Sequence, residues 1–185
     1  MHTIIGSGRL FLAVVLGAAV TAGPALADGP APTRAQARYE VKFLKGMIDH
    51  HAMAVMTAML CEDRAVHPEL VALCGQIAAT QAAEIELMQG WLADWYGVEY
   101  EPRMTKGMQR QAEKLAALSG AEFEIAFMTM MIRHHQAAVR EGLRCVDRAY
   151  HEALVELCED IIETQAAEIE LMSGWLCDWY DICDD

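Results

Sequence analysis

The sequence is poor in basic residues: 14 Lys and Arg stand against 27 Asp and Glu in 185 residues, a formal net charge of -13. Such a surface repels phosphate backbones and anionic headgroups. It argues against nucleic acid and anionic membranes as partners and suits a soluble protein that attracts cations. Two catalytic signatures are missing as well. There is no Gly-x-Ser-x-Gly turn to present a nucleophile, and no Glu-x-x-His pair of the kind that builds a di-iron carboxylate centre. No segment alternates apolar and polar residues as a half-buried strand does, so no strand is expected. The apolar run Leu10 to Val20 is shorter than a membrane span needs.

That run does have a reading. The first 27 residues carry one charged side chain, Arg9, ahead of the run, and end in Ala25-Leu26-Ala27, a small-x-small cleavage pattern. Residues 1–27 read as a secretory signal peptide removed before Asp28, with an uncleaved anchor as the alternative. The mature chain, residues 28–185, is long enough for one sizeable domain and is expected in the periplasm or secreted. Loss of Arg9 takes its formal charge from -13 to -14. Asp28 to Thr33 reads as a short lead-in. In an exported chain the six cysteines are read first as disulfides.

The chain from Glu40 to Tyr96 recurs from Glu124 to Tyr180 at a constant offset of 84, with 33 identities in 57 aligned positions. This is a tandem duplication, with repeats at about 34–96 and 118–180 and a connecting segment at 97–117. Apolar residues recur at three- and four-residue steps among good helix formers, so each repeat reads as two helices. Phe43, Met47, His50, His51, Ala54, Ala58 and Cys61 fall on one stripe; Cys74, Ile77, Gln81, Glu84, Ile85, Met88, Leu92 and Trp95 fall on the next. Pro68 suits the first turn of the second helix. Cys61 and Cys74 are equidistant from the turn between His67 and Pro68, so an antiparallel hairpin brings them together. The same holds for Cys145 and Cys158. Metal thiolates are the competing reading. Cys177 and Cys183 belong to the second copy alone and could pair with each other. Two hairpins, each with an apolar stripe it cannot bury alone, predict an all-α, ferritin-like four-helix bundle. Whether Met104 to Leu118 is a separate helix or leads into the third long one is open, since Ser119 could cap a helix starting near Gly120.

The chemistry lies in polar and sulfur-bearing residues on stripes that would otherwise be apolar. Met47 and Met88 are equally far from the first turn, and His50 and His51 match Glu84 in height. His, His, Met, Met and Glu therefore converge on one layer, which the second copy repeats with Met131, His134, His135, Glu168 and Met172. Imidazole and thioether are ligands for Cu(I) and Ag(I), and imidazole also for Cu(II). Gln81, Glu84, Gln165 and Glu168 are placed to orient the imidazoles. Met47 and Met131 stand three residues before His50 and His134, where a di-iron site needs Glu. A soft donor has replaced a hard one twice, which disfavours iron, manganese and zinc.

The string Phe43, Met47, His50, His51, Ala54, followed by Gln81, Glu84, Ile85, Met88 and Trp91, resembles domain-of-unknown-function family 305, whose CopM-like members are exported copper-binding helical bundles. The pattern occurs in both repeats and spans nearly all of the mature chain. The resemblance implies copper or silver binding by His and Met for buffering, resistance or delivery outside the cytoplasm. Family members often continue the first helix with methionines, as Met53, Met56 and Met59 do here. The second copy has Ala137, Arg140 and Leu143 instead. Met56 and Met59 project away from the inward stripe, as an exposed second site or an entry patch would.

The leading expectation is therefore a non-enzymatic metal binder with up to one soft ion per repeat. A ferritin-like metal oxidase is one alternative. A structural or adaptor bundle whose polar layer only fixes helix register is the other. His67 and His151 are expected to cap helices, the four tryptophans to fill the bundle ends, and Met128 and Met130 to be core. Proton competition for ordinary imidazoles would weaken copper binding as pH falls through the histidine range. Storage, delivery and sensing are not distinguished by any of these residues, nor is a protein partner identified.

Overall fold

Local signals open and close each helix. Thr33 caps the first, its hydroxyl accepting from the Gln36 amide at 3.2 Å. Pro68 begins the second, which Gly97 ends in the left-handed conformation at φ 62°. In the computed structural model, which describes residues 29–183, the elements run α1 (Arg34–Arg64), α2 (Pro68–Tyr96), α3 (Lys106–Ala116), α4 (Gly120–Arg148) and α5 (Glu152–Tyr180). The expected signal peptide, residues 1–27, lies outside the described residues. No strand occurs among the described residues, and no helix there is long and apolar enough to cross a membrane. The segment left open by the sequence is a separate short helix, α3, capped by the Thr105 hydroxyl. Ser119 occupies the N-cap position of α4 without a side-chain cap bond.

Both expected disulfides are present, Cys61–Cys74 and Cys145–Cys158, each closing a 13-residue separation in its hairpin. By loop-closure entropy each contributes about 3 kcal/mol. Cys177 also pairs with Cys183, just past α5. The copies repack beside these staples. Ala58 and Ala78 of the first are Gly142 and Ile162 of the second, and a Cβ on Gly142 would stand 2.8 Å from Ile162 Cγ1. The larger isoleucine is accommodated by the missing methyl group opposite.

α1 packs along α2, α4 along α5, and the two hairpins join through α1 and α4. The hairpins are antiparallel to each other, as the two buried apolar clusters show. One combines the turn end of the first hairpin (Ala58, Cys61, Leu70, Cys74) with the open end of the second (Phe123, Phe127, Met131, Leu176). The other combines Phe43, Met47, Leu92 and Trp95 with the second hairpin's turn end, Cys145, Leu154 and Cys158. α3 lies against α1 and α4 at the first of these ends, contributing Leu115 to its core.

A buried carboxylate locks each turn to the opposite hairpin. Glu124 accepts from the Val66 and His67 amides at 2.5 and 2.9 Å, from His67 Nδ1 at 2.6 Å, and from the Tyr180 hydroxyl. Glu40 does the same for the other turn, accepting from the Tyr150 and His151 amides, His151 Nδ1 and the Tyr96 hydroxyl. His67 stacks on Trp179 with ring centroids 3.9 Å apart, and His151 on Trp95 at 3.8 Å. His67 and His151 do stand at N-cap positions, but neither side chain makes a cap hydrogen bond. Each is drawn instead to a carboxylate from the other hairpin, because a buried acceptor with several donors outcompetes a single exposed amide.

Burial alone would raise both carboxyl pKa values. The hydrogen bonds from tyrosine, backbone amides and histidine outweigh it and hold Glu40 and Glu124 below the usual value. Their contribution is therefore complete above the unfolded carboxyl pKa of about 4.5 and is lost as pH falls through the lower folded value. Glu124→Ala is expected to destabilise the protein by about 3 kcal/mol, since it orphans a buried set of donors, whereas Glu124→Gln retains an acceptor oxygen and costs less. Urea denaturation checks both variants. A loss from Glu124→Ala within the range of an ordinary surface change, about 0.5 kcal/mol, would refute the locking role.

Candidate metal centre

Halfway along the molecule the apolar clusters give way to a polar layer. His50 and His51 enter it from α1, His134 and His135 from α4, Gln81 and Glu84 from α2, and Gln165 and Glu168 from α5. The sequence suggests one such layer in each hairpin. Antiparallel stacking brings both to the same height, so they form a single layer shared by the repeats. At its centre His50 and His134 stack, with ring centroids 3.5 Å apart and planes inclined by 28°. On either side His51 Nε2 lies 2.8 Å from Glu84 Oε2, and His135 Nε2 lies 2.7 Å from Glu168 Oε2. Neither contact has the alignment of a hydrogen bond, so these are close pairs whose N–H direction misses the oxygen.

Glu84 and Glu168 thus stand beside the imidazoles as expected. Gln81 and Gln165 line, with both glutamates, a cavity of about 10 Å³ between α2 and α5, and their amide oxygens have no partner. That volume holds about one water. The four methionines lie on either side of the imidazoles. Met47 and Met88 belong to one apolar cluster, Met131 and Met172 to the other, and all four are buried. Met47 and His50 line the same groove. Met53 and Met128 are core, Met130 is half-buried, and Met56 and Met59 are exposed. Of the tryptophans, Trp95 is buried and the other three are partly so.

The layer is unusual in what it leaves unsatisfied. Seven of the eight ring nitrogens of His50, His51, His134 and His135 make no aligned hydrogen bond; two of them, His51 Nε2 and His135 Nε2, face a carboxylate oxygen, and the other five have no polar partner. The eighth, His134 Nε2, donates to the His50 carbonyl at 3.2 Å. Burial is the main force on the central pair, followed by the neighbouring imidazoles. Together they push His50 down to about 3 and His134 to about 2. Both rings are therefore neutral at neutral and mildly acidic pH. With a neutral ring and Nε2 donating, His134 Nδ1 must carry a bare lone pair. It points at no donor.

A buried lone pair without a donor calls for a partner that the surrounding side chains do not supply. Among the described residues, no group of three or more His, Cys, Asp or Glu side chains is placed to hold an ion. Burial also moves His50 and His134 below the ordinary histidine range, so the proton competition expected from exposed imidazoles does not fall there.

The meeting of His50 with His134 was the part hidden in the sequence. The signal for it was present: both stand at mid-height of their hairpins, 84 residues apart, where an approximate two-fold axis between antiparallel copies must pass.

Several solved structures resemble the chain. CopM in its Cu(I)-bound form is similar to this chain with a TM-score of 0.69 at 30% identity, covering 76% of this chain and 97% of that one. CopM in an Ag-bound form matches at a TM-score of 0.68, with the same identity and coverage. A DUF305 fragment from Deinococcus radiodurans matches at 0.67 and 27% identity, covering 80% of this chain and 98% of its own. No curated protein matches the sequence. The sequence model of the DUF305 family, a domain of unknown function, matches residues 40–176, so with the repeat, the paired histidines and these structural relatives the chain belongs to the DUF305 family.

Proposed function

We propose that this protein is an exported, non-enzymatic carrier of a soft metal ion, Cu(I) foremost, with Ag(I) and Cu(II) as further ligands. In this reading it is a ferritin-like four-helix bundle of the periplasm or extracellular space that buffers, detoxifies or delivers the metal. The observation that carries the reading is the central imidazole layer with its unpartnered nitrogens. His50 and His134 supply nitrogen, His51 and His135 stand beside them against the Glu84 and Glu168 carboxylates, and Met47, Met88, Met131 and Met172 offer thioether from above and below. Because the two copies share one layer, the reading favours one tightly held ion per chain over one per repeat. CopM with Cu(I), Cu(II) and Ag bound supports the choice of metal. When bound, the metal satisfies nitrogens that are otherwise buried alone.

A ligand set kept for function costs stability, and that separates this reading from a structural one. His50→Phe removes two buried unpartnered nitrogens. It is expected to leave the metal-free protein as stable or up to about 1 kcal/mol more stable, while weakening Cu(I) affinity at least about tenfold. Met47→Leu is expected to weaken Cu(I) binding without unfolding, and Met56→Leu, on the surface, to leave it unchanged. Competition against a Cu(I) chelator and urea denaturation read these effects. A His50→Phe protein that is clearly less stable and binds Cu(I) as before would instead make the layer a device for helix register.

The lowered histidine pKa values also set an acid limb on the metal-free protein. The unfolded chain binds protons at these rings below about 6.5 while the folded chain does not, so their contribution is complete above that pH and declines as pH falls towards the folded values. Thermal denaturation of the metal-free protein between about pH 7 and pH 5 is expected to show falling stability, with a smaller slope in His50→Phe. Equal slopes in the two proteins would place His50 outside the buried neutral layer.

A further inference from the structure

The seam between α1 and α4 has two ends that the duplication makes equivalent, and they are finished differently. At one end α3 lies over the seam: it packs on α1 and α4, buries Leu115 with Phe123 and Phe127, and Arg64 Nη1 donates to the Leu118 carbonyl. At the other end nothing among the described residues covers the equivalent surface. A groove of about 650 Å³ runs there along the first half of α1 and the last half of α4, floored by Phe43, Met47, Ala138 and His50. Phe123 is fully buried under α3, while its counterpart Tyr39 is partly exposed, lines the groove, and has a hydroxyl without a partner.

The substitutions between the copies explain both the hollow and its chemistry. Met53 and Met130 at the covered end are replaced by Ala137 and Gly46 at the open end, so side-chain volume is missing from the floor. Whatever seats there must bring apolar side chains of its own. The rim changes sign as well. Glu122, Ala126 and Leu60 at the covered end become Arg38, Lys42 and Arg144 at the open end, with Arg148 beside them over the Tyr39 ring. In a chain of net charge -13 this is a concentrated basic patch. Its one acid, Glu141, is already paired with Arg144 at 2.5 Å. The helix that fits the covered end, α3, carries Lys106, Arg110 and Lys114 against a single acid, Glu113. Such a basic helix would be repelled by Arg38, Lys42, Arg144 and Arg148 at the open end.

We propose that the open groove docks an amphipathic helix of a partner protein, acidic where α3 is basic, with bulky apolar side chains that fill the space above Gly46 and Ala137. Two copies of this chain placed groove to groove would oppose Arg and Lys to Arg and Lys, which disfavours a symmetric dimer as the occupant. The inference does not depend on metal binding, although a helix seated there would cover His50 and Met47 from outside.

The test uses helix-stapled, fluorescent peptides of residues 104–118, one with the native sequence and one carrying Lys106→Glu, Arg110→Glu and Lys114→Glu. Anisotropy titrations are made against the oxidised protein without metal. The acidic helix is expected to bind at least about tenfold more tightly than the basic one, and to weaken with added salt. The protein variant Arg38→Glu/Arg144→Glu, altered only at exposed side chains, is expected to lose that binding while its circular dichroism and urea midpoint stay close to the parent's. Arg140→Glu, an exposed basic residue outside the groove, is expected to keep it. Leu115→Ser and Met108→Ser in the acidic peptide are expected to abolish it. Three results would overturn the proposal. The acidic helix binds no better than the basic one or not at all. It binds equally without its apolar side chains, which makes the patch a general anion site. Or sedimentation shows a dimer that Arg38→Glu/Arg144→Glu dissolves, which makes a second copy the occupant.

Discussion

Each hairpin turn exposes backbone amides that a helix start cannot satisfy by itself, and in this protein a carboxylate from the opposite hairpin takes them. Glu124 holds the His67 turn and Glu40 the His151 turn, each with a tyrosine and a stacked tryptophan around it. Two reciprocal locks at opposite ends permit only an antiparallel arrangement of the hairpins. From that arrangement the rest follows. The turn end of each hairpin is buried against the open end of the other, giving two separate apolar clusters. The residues at mid-height of one copy have nowhere to go but against the same residues of the other.

That last consequence turns a duplication into a candidate site. A single hairpin presents two histidines and cannot surround an ion with them. Two antiparallel copies bring four imidazoles into one layer, with His50 stacked on His134 across the approximate axis. The layer is a poor way to stabilise a core, because buried nitrogens without partners are unfavourable and force the central rings to stay neutral. Close-packed apolar clusters on both sides and a disulfide in each hairpin offset that cost. The proposed metal would relieve that cost.

Much of this was legible in the residues alone, and the division follows the range of the interactions. The hairpins, their turns and the Cys61–Cys74 and Cys145–Cys158 staples depend on contacts inside one repeat, where helical periodicity and counting from the turn are reliable guides. The candidate ligands were legible too, because histidines and methionines on an apolar stripe conflict with its pattern. What depended on how one hairpin meets the other was not. Glu40 and Glu124 open the repeated block, on the same stripe as Phe43 and Phe127, yet a glutamate there reads as the solvated start of a helix until its partners, more than fifty residues away, are known. His67 and His151 stand where helix caps stand, and the competing carboxylate is again from the other hairpin. α3 and the open groove arise from differences between the copies, such as Gly46 for Met130, which carry no periodic signal.

The similarity of the copies builds the central layer, and their divergence builds the outer seam, where one end is closed by α3 and the other is basic and open. The claim on which the functional account stands is that a soft metal sits in the shared layer. Anomalous diffraction from crystals of the protein loaded with one equivalent of Ag(I) or Cu(I) tests it most directly. One dominant peak is expected at the centre of the molecule, within bonding distance of a His50 or His134 ring nitrogen. Peaks confined to the exposed Met56 and Met59, with the central layer empty, would contradict it.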